Sequence, residues 1–194
     1  MFVFSTLQTP QLSEEEMRNR GVFLLPVPRD IAPFELSSKN GETFENNNLK
    51  GVWSFVYFGF THCPDICPTT MSVLGQVERQ LQQQQHEDAD RFRGVLVTVD
   101  PERDTLEKLN QYVTAFSPRF VGARGSREMT AQFAQQVNVA FAKVPSQDSA
   151  DGYTMDHTGN IVIINPKGHY HGFIKLPHEA ETIRLTFQTL AASF

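Results

Sequence analysis

Gly51-Val52-Trp53-Ser54-Phe55-Val56-Tyr57-Phe58-Gly59-Phe60 is an almost unbroken apolar and aromatic run, and its reading decides the fold. A strand wet on one face would alternate with polar residues, whereas a run like this belongs to a strand covered on both faces. Thr61-His62-Cys63-Pro64-Asp65-Ile66-Cys67-Pro68 comes next, after which Met71, Leu74, Val77 and Leu81 recur at helical spacing. Gln82 to Gln85, with His86, Glu87 and Asp88, read as the wet end of that helix. Val95-Leu96-Val97-Thr98-Val99 repeats the buried-strand pattern and stops at Asp100-Pro101. Leu106, Leu109, Val113 and Phe116 mark a second helix, with Asp104 or Thr105 as its cap. Met129, Phe133 and Val137 mark a third, and Phe141 to Val144 a short strand before the loop Ser146 to Asp151.

Toward the C-terminus, Ile161-Val162-Ile163-Ile164 is another apolar strand, and Asn165-Pro166-Lys167-Gly168 has the residues a type I turn favours. Tyr170 to Lys175 would return antiparallel, and a last helix would start near Pro177 with Ala180, Ile183, Phe187 and Leu190 on one face. Toward the N-terminus, Phe34-Glu35-Leu36 and Glu42-Thr43-Phe44 flank Lys39-Asn40-Gly41 as a small hairpin. Residues 1–33, punctuated by Pro10, Pro26, Pro28 and Pro33, read as an extended arm leading into the domain. That leaves 34–194 as a single domain. Strand–helix–strand–helix, then a hairpin and a closing helix, predicts an α/β thioredoxin-like fold. Its parts would be a central mixed β-sheet flanked by helices, an N-terminal hairpin and a late β-hairpin insertion.

The chain has 194 residues, 40% of them hydrophobic, which suits one buried core. A net charge of −5 argues against a general nucleic-acid binder. Met1-Phe2-Val3-Phe4 is far shorter than the ~20 apolar residues of a membrane helix. It also lacks the basic flank and small-residue cleavage site of a signal peptide, so the chain reads as a soluble part.

The chain has 2 cysteines, Cys63 and Cys67, and a disulfide between them would close almost no loop. Their spacing points to chemistry rather than to stapling. They lie between the carboxyl end of a buried strand and the start of a helix, where open α/β sheets build sites and where a helix N-terminus favours a thiolate. The simplest geometry puts Pro68 at the first helical position, Cys67 near the cap and residues 63–67 in an exposed turn. Two sulfurs so placed can close into a disulfide or grip one metal ion, and a metal would need a third ligand from elsewhere.

Several polar residues have plainer readings. His62 points away along its strand, Met71 is core, and Asp100 and Asp104 can serve as turn and helix caps with Arg103 pairing to either. His169 and His171 are the polar face of an edge hairpin, with a weak second metal site as the sharper reading. His86 and His178 look like surface residues. On residue type alone, His157 is a loop histidine bonded to backbone.

Gly59-Phe60-Thr61-His62-Cys63-Pro64-Asp65-Ile66-Cys67-Pro68, then Val97-Thr98-Val99-Asp100-Pro101-Glu102-Arg103-Asp104-Thr105, then Tyr153-Thr154-Met155-Asp156-His157-Thr158, closely resemble the Sco (SenC) family. The resemblance runs from about Phe34 to the C-terminus. It implies a thioredoxin-fold copper protein that helps assemble the dinuclear copper centre of cytochrome c oxidase. It further implies Cys63, Cys67 and His157 as ligands of one Cu(I) or Cu(II), with Asp100 beside the site. The implied partner is the copper-bearing oxidase subunit, and another periplasmic copper chaperone or a thiol reductant could serve the same site. Some members of the family act mainly as thiol–disulfide reductants, which makes Cys63 and Cys67 a redox pair in the rival reading. Membership also implies an N-terminal membrane helix, with residues 1–33 as the remnant of its linker, and a place at the periplasmic face of the bacterial inner membrane or in the mitochondrial intermembrane space.

Overall fold

The computed structural model describes residues 10–194. In chain order the elements are α1 (Glu14–Asn19), β1 (Val22–Arg29), β2 (Glu35–Ser37), β3 (Thr43–Glu45), β4 (Trp53–Gly59), α2 (Ile66–Gln83), β5 (Phe92–Thr98), α3 (Leu106–Thr114), β6 (Val121–Ala123), α4 (Arg127–Gln136), β7 (Phe141–Pro145), β8 (Tyr153–His157), β9 (Ile161–Ile164), β10 (Tyr170–Ile174) and α5 (Ala180–Ala192). Six strands form one sheet in the order β1-β10-β9-β4-β5-β6. β4, β5 and β6 run parallel, and β9, β10 and β1 join antiparallel, so the sheet is mixed and central as expected.

The apolar run becomes β4 at the middle of this sheet, and every residue from Trp53 to Gly59 is buried. Alternation sends Phe55 and Phe58 to opposite faces. Phe55 packs against Phe187 of α5, with ring centroids 6.4 Å apart, and Phe58 against Phe133 of α4 at 5.4 Å. Helices therefore cover both faces, which is why β4 and β9 need no polar side. Thr105 caps α3 by accepting from the Lys108 N–H, and Ser126 caps α4 by accepting from the Met129 N–H. Such caps contribute about 1 kcal/mol each.

Four local expectations change. The extended arm does not stand outside the domain: Val22–Arg29 is the edge strand β1, with Val22 opposite Ile174 and Leu24 opposite Gly172. Pro26 and Pro28 punctuate that arm in the sequence, but an edge strand tolerates proline because its outer N–H groups have no ladder partner to lose. Residues 1–9 of that arm lie outside the described residues. α2 starts at Ile66, two residues before Pro68. Pro68 is tolerated there because the first N–H groups of a helix have no intrahelical acceptor, and the residue four back, Pro64, precedes the helix. Cys67 is consequently buried rather than held in an exposed turn. His157, read as a loop histidine, ends a strand instead: residues 153–157 pair with β7 as a separate two-stranded sheet, His157 opposite Phe141. β6, only three residues long, was not anticipated.

The small N-terminal hairpin forms as β2–β3, with Leu36 opposite Phe44. The turn at Asn165–Gly168 also forms, where the Gly168 N–H donates to the Asn165 carbonyl (2.8 Å).

Candidate metal centre

β4 ends at Gly59, and a Cβ placed there would lie 2.9 Å from the Cys67 sulfur. Only glycine lets that thiol press against the strand. The chain then turns, with the Cys63 N–H donating to the Phe60 carbonyl (3.3 Å), and enters α2. The Cys67 N–H points at the Cys63 sulfur, 3.5 Å away, in the first turn of the helix. Both cysteines are free thiols, Cys63 half-buried and Cys67 enclosed.

His157 arrives from the end of β8. Its Nε2 lies 3.7 Å from Cys67 Sγ and its Nδ1 3.1 Å from the Thr158 carbonyl oxygen. A carbonyl can only accept, so this contact assigns the proton to Nδ1 and leaves the Nε2 lone pair facing the sulfurs. Tyr57 and Phe60 hold the imidazole edge-on, at 5.7 and 5.9 Å between ring centroids.

The donor atoms of Cys63, Cys67 and His157 all lie within 4.8 Å of one another, and no other such group of three occurs among the described residues. A three-coordinate ion with bonds of about 2.0–2.3 Å sets its donors roughly 3.5–4 Å apart, so this triad fits a single ion after small adjustments. Two sulfurs with one imidazole nitrogen suit a soft or borderline metal. Cys63 faces a shallow cleft of about 290 Å³ whose lining includes Pro64, Ile66, Met155 and Leu176.

The two thiols differ in acidity. The hydrogen bond with Cys67 pulls Cys63 down to about 4 against the opposing effect of burial, helped by His157 and the Asp65 and Cys67 N–H groups. Cys67 is pushed far up, first by that same bond to Cys63 and then by burial. The pair thus gives up its first proton readily, from Cys63, and its second reluctantly. Tyr57 is also pushed up, by burial first and by the neighbouring thiols second.

Asp100 does not join the triad. It is buried, accepts the Tyr153 hydroxyl at 2.9 Å and pairs with Arg103 Nε. His62 stays off the triad as expected, its Nδ1 3.3 Å from the Thr61 hydroxyl. His169 and His171 go to separate partners, Asp30 (3.0 Å) and the Asn165 side-chain amide (3.1 Å). His178 is not a surface residue: it is buried, and its Nδ1 bonds the Thr70 hydroxyl at 2.8 Å. Met71 is core, as read from its spacing. Sequence reasoning missed Tyr57, Tyr153 and the burial of Asp104. The alternation Tyr153, Met155, His157 was the available signal for β8, since i, i+2 and i+4 share one face of a strand.

Comparisons with known proteins bear on the family and the fold. A family model described as SCO1/SenC matches residues 27–192. A SCO2-like protein of Rickettsia prowazekii is 35% identical over 156 residues, covering 80% of this chain and 74% of that one. Among solved structures, Arabidopsis thaliana ScoI with copper bound is 30% identical, with a TM-score of 0.75, covering 84% of this chain and 98% of that one. Yeast Sco1 with copper bound is 26% identical, with a TM-score of 0.76, covering 86% and 91%.

Proposed function

The chain belongs to the SCO1/SenC family, and from that premise we propose that it carries one copper ion on Cys63, Cys67 and His157. Its task in this reading is that of a metallochaperone for the dinuclear copper centre of cytochrome c oxidase. The observation that carries the proposal is the convergence of these three donors from two distant parts of the chain. Copper-bound relatives of the same fold support it. Thiolates select Cu(I), and the imidazole extends the set toward Cu(II). The cargo's destination would be the copper-bearing oxidase subunit, with a second periplasmic copper chaperone or a thiol reductant serving the same site. The proposed location is the periplasmic face of the bacterial inner membrane, or the intermembrane space in a mitochondrion. Among the described residues no helix is long and apolar enough to cross a membrane.

The unequal acidity of the thiols favours a second reading, reduction of the oxidase's copper-site disulfide. The Cys63 thiolate attacks one sulfur of the partner disulfide, and the partner's other sulfur leaves as a thiolate. Cys67, losing its proton to solvent, then displaces the second partner sulfur. Two electrons pass to the partner, and a Cys63–Cys67 disulfide is left behind.

Titration of reduced protein against a competing Cu(I) chelator tests the first reading. One equivalent should bind, and changing both Cys63 and Cys67 to Ala should abolish tight binding. Full affinity in that double variant overturns the proposal. His157→Ala separates the two readings: it should weaken Cu(II) more than Cu(I), spare disulfide formation and stop oxidase assembly. Assembly intact in His157→Ala would favour the reductant.

A further inference from the structure

The two halves of the candidate centre lie about ninety positions apart in the chain, which the 90-residue separation of Cys67 and His157 makes explicit. No covalent link sets the gap between them. The segment Asp100–Asp104, between β5 and α3, bonds to both.

Toward the thiols, Asp104 is fully enclosed. Its Oδ2 accepts the Thr61 N–H (3.0 Å) and the Thr98 hydroxyl (2.6 Å), and its Oδ1 accepts the Thr61 hydroxyl. A buried carboxylate is tolerated only with such donors around it. These bonds fix the backbone two residues before Cys63.

Toward the imidazole, Asp100 accepts the Tyr153 hydroxyl, and Arg103 Nη1 donates to the Tyr153 carbonyl oxygen (3.4 Å), the Ser149 hydroxyl (3.3 Å) and Asp151 (3.3 Å). The Arg103 guanidinium lies 4.0 Å from the centre of the Tyr153 ring, and Lys143 Nζ 3.9 Å. Tyr153 opens the strand that His157 ends, and both point to the same face. Holding Tyr153 therefore holds the orientation in which β8 presents His157. Within the segment, the Asp104 N–H donates to the Asp100 carbonyl (3.0 Å), which makes it one compact turn.

We infer that residues 100–104 form a two-armed clamp in which Asp104 positions the thiols through Thr61, while Asp100 and Arg103 position His157 through Tyr153. Thr61, Asp100, Arg103, Asp104 and Tyr153 are then positioning residues. The inference rests on the reading of Cys63, Cys67 and His157 as copper ligands. Because the arms use different acceptors, each can be cut without cutting the other.

The test uses the whole chain with Tyr153→Phe and Thr61→Val, each checked for folding by circular dichroism. Three quantities are read: Cu(II) affinity with its charge-transfer band, Cu(I) affinity by chelator competition, and the metal-free dithiol–disulfide equilibrium against glutathione. Tyr153→Phe keeps the ring under its two cations and deletes one hydroxyl. It should lower Cu(II) affinity on the order of 10-fold and shift the band, leaving the dithiol equilibrium unchanged. Thr61→Val should shift the dithiol equilibrium and Cu(I) affinity, and Thr61→Ser should restore both. If Tyr153→Phe does not fold, Arg103→Lys, which loses the planar fork and keeps the charge, tests the same arm. Equal movement of every readout in both variants overturns the clamp, as does no movement in either. Failure of the ligand reading looks different: tight Cu(I) binding in the protein with Cys63 and Cys67 both changed to Ala.

Discussion

Cys63 and Cys67 are chemically identical and four positions apart, yet one faces a cleft and the other, in the first turn of α2, is buried against Gly59. The hydrogen bond between them lowers Cys63 and raises Cys67, burial adds to the rise of Cys67, and a pH dependence follows. Folded Cys63 sits at about 4, whereas an unfolded cysteine titrates near ~8.5. Between those values the unfolded chain holds more protons, so the reduced protein should gain stability as pH rises through the window and lose it as pH falls toward 4. Cys67 acts the other way: its raised value means its contribution is present below ~8.5 and is lost as pH rises above it. Denaturant titrations across pH should thus show a steep acid limb that flattens in Cys63→Ala. Alkylation gives an independent measure: Cys63 should react nearly as fast at pH 5.5 as at pH 7.5, with Cys67 spared. Equal labelling of both thiols with an ordinary pH profile would remove the proposed asymmetry.

Between elements, Thr70 of α2 and His178, in the turn before α5, make a tie that no motif announces. Its signal is absent from the sequence because a histidine after Leu176-Pro177 has the composition of a surface turn. Burial depresses His178 to about 4, and its Nε2 finds no partner among the described residues. An unfolded histidine takes a proton near ~6.5, so stability should fall as pH drops from there toward 4. His178→Phe should remove that part of the acid sensitivity. Thr70→Val would strip the remaining bond and should destabilise by about 1–3 kcal/mol, seen as a lower denaturation midpoint. No change in Thr70→Val would mean the pair contributes nothing net. The β7–β8 hairpin was illegible for a different reason: five residues of mixed polarity at its second strand look like loop until pairing with Phe141–Pro145 supplies the missing partner.

For the molecule as a whole, the central strands were legible in their own runs, since β4, β5 and β9 are apolar on both faces, whereas the sheet's order was not, because both of its edges, β1 and β6, went unread. The cysteine pair was equally legible. His157 was not, because nothing local relates it to sulfurs some ninety positions earlier, and only the resemblance of the whole motif set marked it. The N-terminal edge was misread for want of context, since Pro26 and Pro28 are disqualifying only in an interior strand. That correction has a measurable side. Met17 and Val22 are buried, and losing such side chains at ~1.5–3 kcal/mol each, with a whole strand ladder, is comparable to a typical total stability of ~5–15 kcal/mol. A chain starting at residue 30 should be unfolded or aggregated by circular dichroism and size exclusion. A native-like spectrum would instead make β1 dispensable. The enclosure of Cys67 carries one further consequence, for timing. On the proposed copper reading, an acceptor's donor atoms would approach from the side of Cys63 and His157, exchange would have a fixed order, and the bond to Cys67 would be the last to break. How long a cargo dwells would then depend on how often the first turn of α2 loosens, and residence time could be slow even where equilibrium affinity is modest.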